Sequence, residues 1–281
     1  MSAVADILEA ATPAPVAKHS SFYLAMRILP REQREAMYAV YAFCRAVDDI
    51  ADDGGPGAAR LAMLDQWRAD IARLYNGGGP TELTQELARP LARFGMRQQD
   101  FLDVIDGMEM DVRREMRGPS WETFEHYCDR VASAVGRLSV KIFGVEDDKG
   151  ILLSHYLGRA LQMTNVLRDL DEDAELGRLY LPAEALAGAG IEEKDIGTVL
   201  VHPRLGEACM AVADRAGRHF AEASEVMARC RRESVRSPRI MASVYRALLE
   251  KLIRRGWRAP RERVRPSKLQ FLSAFVRHGI V

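Results

Sequence analysis

Between Cys44 and Asp53 the chain places four carboxylates in six residues, at the end of an apolar, aromatic run. Asp48 and Asp52 are four apart, and so are Asp49 and Asp53. On a helix each such pair lies on one face, one turn apart. Like charges at that spacing destabilise a helix by roughly 0.2–0.5 kcal/mol per pair. A helix that carries this repulsion beside apolar residues calls for a cation. Mg²⁺ suits carboxylates that also leave room for phosphate oxygens, because it is a hard ion that takes oxygen ligands.

The residues leading into the acids narrow the reading. Tyr38, Tyr41, Ala42, Arg45, Asp48, Asp49 and Asp52 fall on one continuous helical stripe, which passes from aromatic to basic to acidic. A core stripe would stay apolar; a cavity wall with a charged rim has this order. A second stretch, Asn165-Val166-Leu167-Arg168-Asp169-Leu170-Asp171-Glu172-Asp173, repeats the spacing, with Asn165, Asp169 and Asp173 each four apart. Either cluster alone reads as a solvated helix face. Two of them, each embedded in apolar helix with an Arg beside it, favour a phosphorylated ligand held between two carboxylate faces through metal. A ligand with a diphosphate head and a hydrocarbon tail fits such a site. Its ionisation would give an allylic cation, which needs a dry pocket and aromatic faces such as Tyr41.

Composition excludes several alternatives. Forty Lys and Arg against forty Asp and Glu give zero formal charge, so bulk charge points to no nucleic-acid partner. The four cysteines are far apart with no CxxC pair, which favours a reducing cytosol over a disulfide framework or zinc site. No HExxH or ExxH pattern occurs among the six histidines. The N-terminus lacks a basic segment followed by a long apolar one, and no run of eighteen apolar residues exists.

Helical periodicity covers the rest. An Ala- and Pro-rich tail over residues 1–18 precedes a single all-α domain over residues 19–281. Ser20 or Ser21 either caps the first helix or touches ligand. Pro30 starts the acidic helix, which Gly54 to Gly57 ends. Further helices are expected over about 61–75, 81–94, 98–116, 121–143, 147–175, 203–230 and 238–256. Small residues crowd Ala132 to Gly136, where tight helix packing and ligand contact account for the sequence equally well. Arg178 lies just past the second acids, placed for a phosphate. Residues 251–268 carry eight Lys or Arg, a solvated face or a surface for diphosphate or anionic lipid. The apolar positions Leu269, Leu272, Phe275, Val276 and Ile280 pack on the domain core or touch a membrane.

At these residues the chain resembles the squalene/phytoene synthase family of head-to-head prenyl transferases. Asp48-Asp49-Ile50-Ala51-Asp52 and Asn165 to Asp173 look like the family's two aspartate-rich motifs. Tyr127 to Gly136 and Gly177-Arg178-Leu179-Tyr180-Leu181-Pro182 look like two further signatures. The likeness runs from about Ser20 to Lys268. Within the family, Ser21 to Pro30 and Ile105 to Val112 most resemble the branch of bacterial hopanoid pathways that forms presqualene diphosphate. The resemblance implies an isoprenoid-synthase helical bundle around a central apolar cavity. It also implies condensation of two farnesyl diphosphates to presqualene diphosphate, with loss of one diphosphate and no NADPH-dependent reduction.

The same resemblance implies roles for residues. Asp48 and Asp52 would bind Mg²⁺ on one diphosphate; Asn165, Asp169 and Asp173 would do so on the other, with Gln162 alongside. Arg45, Arg168, Arg178, Arg265 and Lys268 would contact phosphate, and Ser21 the head group. Tyr41, Tyr127 and Tyr245 would line the reaction centre, and Val131, Val135 and Gly136 the tail channel. Asp171 stands where many relatives have a small residue, and is expected to face away. The second farnesyl double bond would attack the cation formed from the first, and loss of a proton to diphosphate or a Tyr would close a cyclopropane. Rivals are phytoene synthesis from geranylgeranyl diphosphate, dehydrosqualene synthesis, an enzyme that consumes presqualene diphosphate, and a non-catalytic helical binding module. Downstream squalene-pathway enzymes are candidate partners. An amphiphilic product makes peripheral contact with the inner membrane face a reasonable location.

Overall fold

The acidic stripe forms one unbroken helix, α1 (Arg31–Asp52), in a computed structural model that describes residues 26–279, apart from the side chains of residues 268, 269, 271 and 279. The expected tail and Ser21 lie outside the described residues. Pro30 precedes the first turn of α1, where its missing N–H costs nothing. Next come α2 (Gly57–Tyr75), α3 (Gln85–Phe94), α4 (Gln98–Val112) and α5 (Trp121–Cys128). Ser120 caps α5, its hydroxyl accepting from the Thr123 N–H at 3.1 Å. After α5 the chain makes one turn of π-helix, Asp129–Ser133, and continues as α6 (Ala134–Phe143). Then follow α7 (Asp147–Arg168), α8 (Leu170–Glu175), α9 (Ala183–Gly188), α10 (Ile196–Val201), α11 (Leu205–Ala228), α12 (Arg236–Arg255) and α13 (Lys268–Gly279). Among the described residues there is no strand, and one isolated bridge pairs Arg117 with Leu179. The fold is all-α, as the periodicity indicated.

Two expected helices are interrupted, both beside the site. The one expected over 121–143 contains the π-turn, and the one over 147–175 breaks at Asp169 (φ −104°, ψ 21°). Extra or broken turns of this kind shift side chains off the regular 3.6-residue face, which periodicity cannot register.

Apolar side chains form two clusters. One gathers around α1, α2 and α4, with Phe43 edge-on to both Trp67 and Phe101. The other gathers around α7, α11 and α12. Val131 and Phe143 pack against both, so the π-turn and α6 lie at the seam. Two glycines let the helices approach there. A Cβ on Gly158 would lie 2.7 Å from Ser133 Cα, and one on Gly136 would lie 3.0 Å from Ser154 Cβ. Gly136 therefore serves a close helix contact.

Candidate active site

The seam between the two clusters holds a cavity of about 240 Å³. Met37, Val40, Tyr41 and Cys44 of α1 form one wall, and residues from Val131 to Phe143 another. Ser237, Pro238 and Met241 of α12 contribute a third. On α7 the lining runs from Asn165 back to Leu153, about 18 Å of helix. Most of this surface is apolar. Gln162 and Asn165 stand at the end of this lining that leads into the second acidic stretch, which begins at Asp169.

The first acidic face is held by two arginines. Arg45 donates to Asp48 at 2.7 Å and also to Asp49. Arg178 reaches across from beyond α8, donating to Asp52 Oδ1 at 2.6 Å and to the Ala51 carbonyl at 3.0 Å. Its Nε lies 3.5 Å from Asp111 Oδ1. Asp111 is buried and accepts from the Tyr127 and Tyr180 hydroxyls at 2.9 and 2.8 Å, beneath two stacked tyrosine rings. Burial pushes the Asp111 carboxyl up to about 6 despite these donors. Asp48 is likewise pushed up to about 6, by burial first and by Asp52 second, against Arg45 and Arg178.

The second face straddles the break after α7. The backbone bonds Asp169 N to Asn165 O (2.9 Å) and Asp173 N to Asp169 O (2.8 Å) carry the four-residue register across it. Arg168 grips Asp169 through Nε at 2.7 Å and through Nη2. Arg263 donates to Asp169 at 3.1 Å and lies 3.2 Å from Glu172. Asp173 has no such grip. Burial, then the neighbouring Asp169 carboxylate, push it up to about 8, with Arg178 opposing. Arg178 thus acts on the acids of both faces.

The cavity brings together Tyr41, Val131, Val135, Gly136, Gln162 and Asn165. Two tyrosines expected at the reaction centre are not among its lining residues. Tyr127 is turned behind the wall to Asp111 and Tyr180, because its buried hydroxyl needs that acceptor. Tyr245 is buried beside Arg168, where burial pushes its hydroxyl up. Of the basic run, Arg263 and not Arg265 sits on the second motif. Arg265 is exposed, and its carbonyl is drawn toward Lys251 of α12 at 3.5 Å. Lys268 opens α13 and its side chain lies outside the described set. Asp171 turns to Arg261, away from Asp169 and Asp173. Sequence reasoning missed Asp111, Tyr180 and Arg263. A lone acid between Met110 and Val112 was the available signal for Asp111.

Oxygen donors of this kind fit Mg²⁺. The Asn165 Oδ1 atom is buried and has no hydrogen-bond partner. Asp48 and Asp173 hold protons more tightly than ordinary carboxyls because burial, and then a neighbouring carboxylate, outweighs the nearby arginines. Among the described residues no three His, Cys, Asp or Glu side chains converge to close a metal shell. Mg²⁺ is characteristically held by one or two carboxylates, with waters and substrate phosphates completing its sphere.

The squalene/phytoene synthase family model matches residues 16–270. The chain belongs to this family. It is 52% identical to the presqualene diphosphate synthase of Rhodopseudomonas palustris, over 96% of this chain and 99% of the relative. Identity to the presqualene diphosphate synthase of Sinorhizobium fredii is 51%, over 93% and 94%. The 15-cis-phytoene synthase of Synechococcus elongatus is more distant, at 34% over 72% and 70%. Among solved family structures, a dehydrosqualene synthase with ligand superposes with a TM-score of 0.81 at 24% identity, covering 93% of this chain and 91% of that one. The squalene synthase HpnC from Alicyclobacillus acidocaldarius gives 0.76 at 30%, covering 85% and 90%.

Proposed function

We propose that the chain joins two farnesyl diphosphates head to head to form presqualene diphosphate, releasing one diphosphate. One observation carries the reading: two carboxylate faces, linked through Arg178, lie on the helices whose Tyr41, Gln162 and Asn165 line a single apolar cavity. The near-full-length relatives that share half their residues with the chain bear the corresponding name, and those named phytoene synthase are more distant.

Asp48 and Asp52 on one side, and Asn165, Asp169 and Asp173 on the other, are the donors that would hold Mg²⁺. Bound there, the ion would supply positive charge to a departing diphosphate and make it a better leaving group. Arg45 and Arg168 stand beside these acids to orient phosphate oxygens. The walls from Val131 to Phe143 and from Leu153 to Leu161 exclude water from the hydrocarbon, where a carbocation would otherwise be captured. Tyr41 presents an aromatic ring to that space, suited to a cation near the rim. Peripheral membrane contact belongs to the same reading. No helix among the described residues is long and apolar enough to cross a membrane. On α13, Ala274 is buried while Leu272 and Val276 are exposed, leaving one apolar side open.

The test is incubation with farnesyl diphosphate and Mg²⁺, without NADPH, followed by mass spectrometry of intact products. A thirty-carbon monodiphosphate is expected. A thirty-carbon hydrocarbon, or a forty-carbon product made from geranylgeranyl diphosphate alone, would move the chain to another branch. Absence of any product from either substrate would favour a non-catalytic helical module.

A further inference from the structure

The segment after α12 reaches back to the break in the second acidic motif at three points. The Trp257 indole N–H donates to the Leu167 carbonyl at 2.9 Å, one residue before the end of α7. That carbonyl belongs to the last turn of α7, whose C=O groups lack helical partners. A side chain inserted at such a point fixes a kink in the helix. Four residues on, Arg261 grips Asp171 with a two-pronged fork, Nε to Oδ2 at 2.9 Å and Nη2 to Oδ1. Its Nη1 donates to the Leu200 carbonyl at 2.8 Å and the Trp257 carbonyl at 3.0 Å. The Arg261 side chain is 5% exposed, so it is locked among α8, the end of α10 and its own segment. Two residues further, Arg263 lies on Asp169 itself.

Both Asp171 oxygens are engaged by Arg261 and the residue lies outside the four-residue register, so it is no candidate metal donor. It is nevertheless the middle residue between Asp169 and Asp173 on a helix of six residues. The backbone bonds from Asn165 to Asp169 and Asp173 keep the spacing of the donors, and a hold on Asp171 adds a constraint on the rotation of α8.

We infer that Arg261 and Asp171 form a positioning pair, through which the segment from Trp257 to Arg263 holds the second acidic face in metal-binding register. The inference rests on the function proposed above. Neither residue touches substrate. Loss of a group that orients metal donors typically costs about ten-fold to a hundred-fold in metal affinity.

The experiment measures calorimetric binding of farnesyl thiodiphosphate, which resists ionisation, across a Mg²⁺ titration of the full chain. Melting temperatures without Mg²⁺ are taken alongside. Asp171→Asn is expected to raise the half-saturating Mg²⁺ concentration by about ten-fold. Arg261→Lys, which keeps the charge and loses the fork, is expected to raise it by less. Arg137→Met supplies the control, since Arg137 joins Asp100 and Asp103 across α4 and α6, away from α8. It should lower the melting temperature and leave the Mg²⁺ requirement unchanged. An unchanged Mg²⁺ requirement in both α8-directed variants, or an equal shift in the control, overturns the positioning role and leaves the proposed function standing. Mg²⁺-independent binding by the unmodified protein would overturn the metal reading, and the positioning role with it.

Discussion

The two acidic faces look alike in sequence and are built differently. The first lies on an unbroken 22-residue helix, where spacing alone places the acids. Its charges are divided between Arg45 from one turn earlier and Arg178 from far along the chain. The second lies across a break, and its geometry depends on side chains from after α12. A continuous helix carries its own ruler, whereas a broken one must borrow positions from its neighbours. Proton affinity differs as well. Asp48 is pushed up to about 6 and Asp173 to about 8, in both cases by burial first and a neighbouring carboxylate second.

Removing the acids tests whether both faces work. Asp48→Ala and Asp169→Ala should each lower turnover by at least about 10³-fold, a loss of several kcal/mol of leaving-group stabilisation. Melting temperatures should change little beside that loss. Steady-state assay of presqualene diphosphate formation over a range of Mg²⁺ concentrations is the check. Full turnover in either variant would reduce the site to one acidic face.

The difference in proton affinity predicts a difference in pH dependence. A carboxyl raised in the folded state binds protons more tightly there than in the unfolded chain, whose value is about 4. Between the two values the folded state holds more protons, so stability falls as pH rises. For Asp48 and Asp111 that window closes near 6, and for Asp173 near 8. His219 acts oppositely. Burial pushes it down to about 4, so below its unfolded value of about 6.5 it makes stability rise with pH. The clean window for Asp173 therefore lies between about 6.5 and 8. Without Mg²⁺ the melting temperature should fall across it, and Asp173→Asn should flatten that fall. The same slope in both proteins would show that Asp173 is not the group that titrates in this window.

Spacing in the sequence reveals the acids of both faces, the all-α class and the stripes that carry Tyr41, Gln162 and Asn165. These are facts of local helix geometry, whereas only the family resemblance points to Val131, Val135 and Gly136 at the cavity. The π-turn at Asp129–Ser133 and the break at Asp169 are not legible, since the first lies against Gly107 and Gly158 of other helices and the second beside Trp257 from after α12. Tyr127 and Tyr245 carry the right chemistry for a cavity wall, but burial of their hydroxyls draws them to Asp111 and toward Arg168. Arg263 and Arg265 are indistinguishable as members of a basic run. Only the path of the chain between α12 and α13 decides which one meets Asp169.

Asp49 offers the smallest effect and the sharpest test of how the first face is divided. It stands beside Asp48 in sequence, yet its side chain is 60% exposed and shares Arg45 with Asp48. Asp49→Asn loses one exposed ion pair and relieves repulsion with Asp48 beside it. Each is worth under about 1 kcal/mol, and they oppose each other. Stability should change by less than about 0.5 kcal/mol, measured by urea unfolding. Turnover should stay within a few-fold of the unmodified protein, because Arg45 remains paired with Asp48. A loss comparable to that of Asp48→Ala would mean that the outer pair also faces the ligand. The whole acidic stripe, Asp49 included, would then face the ligand.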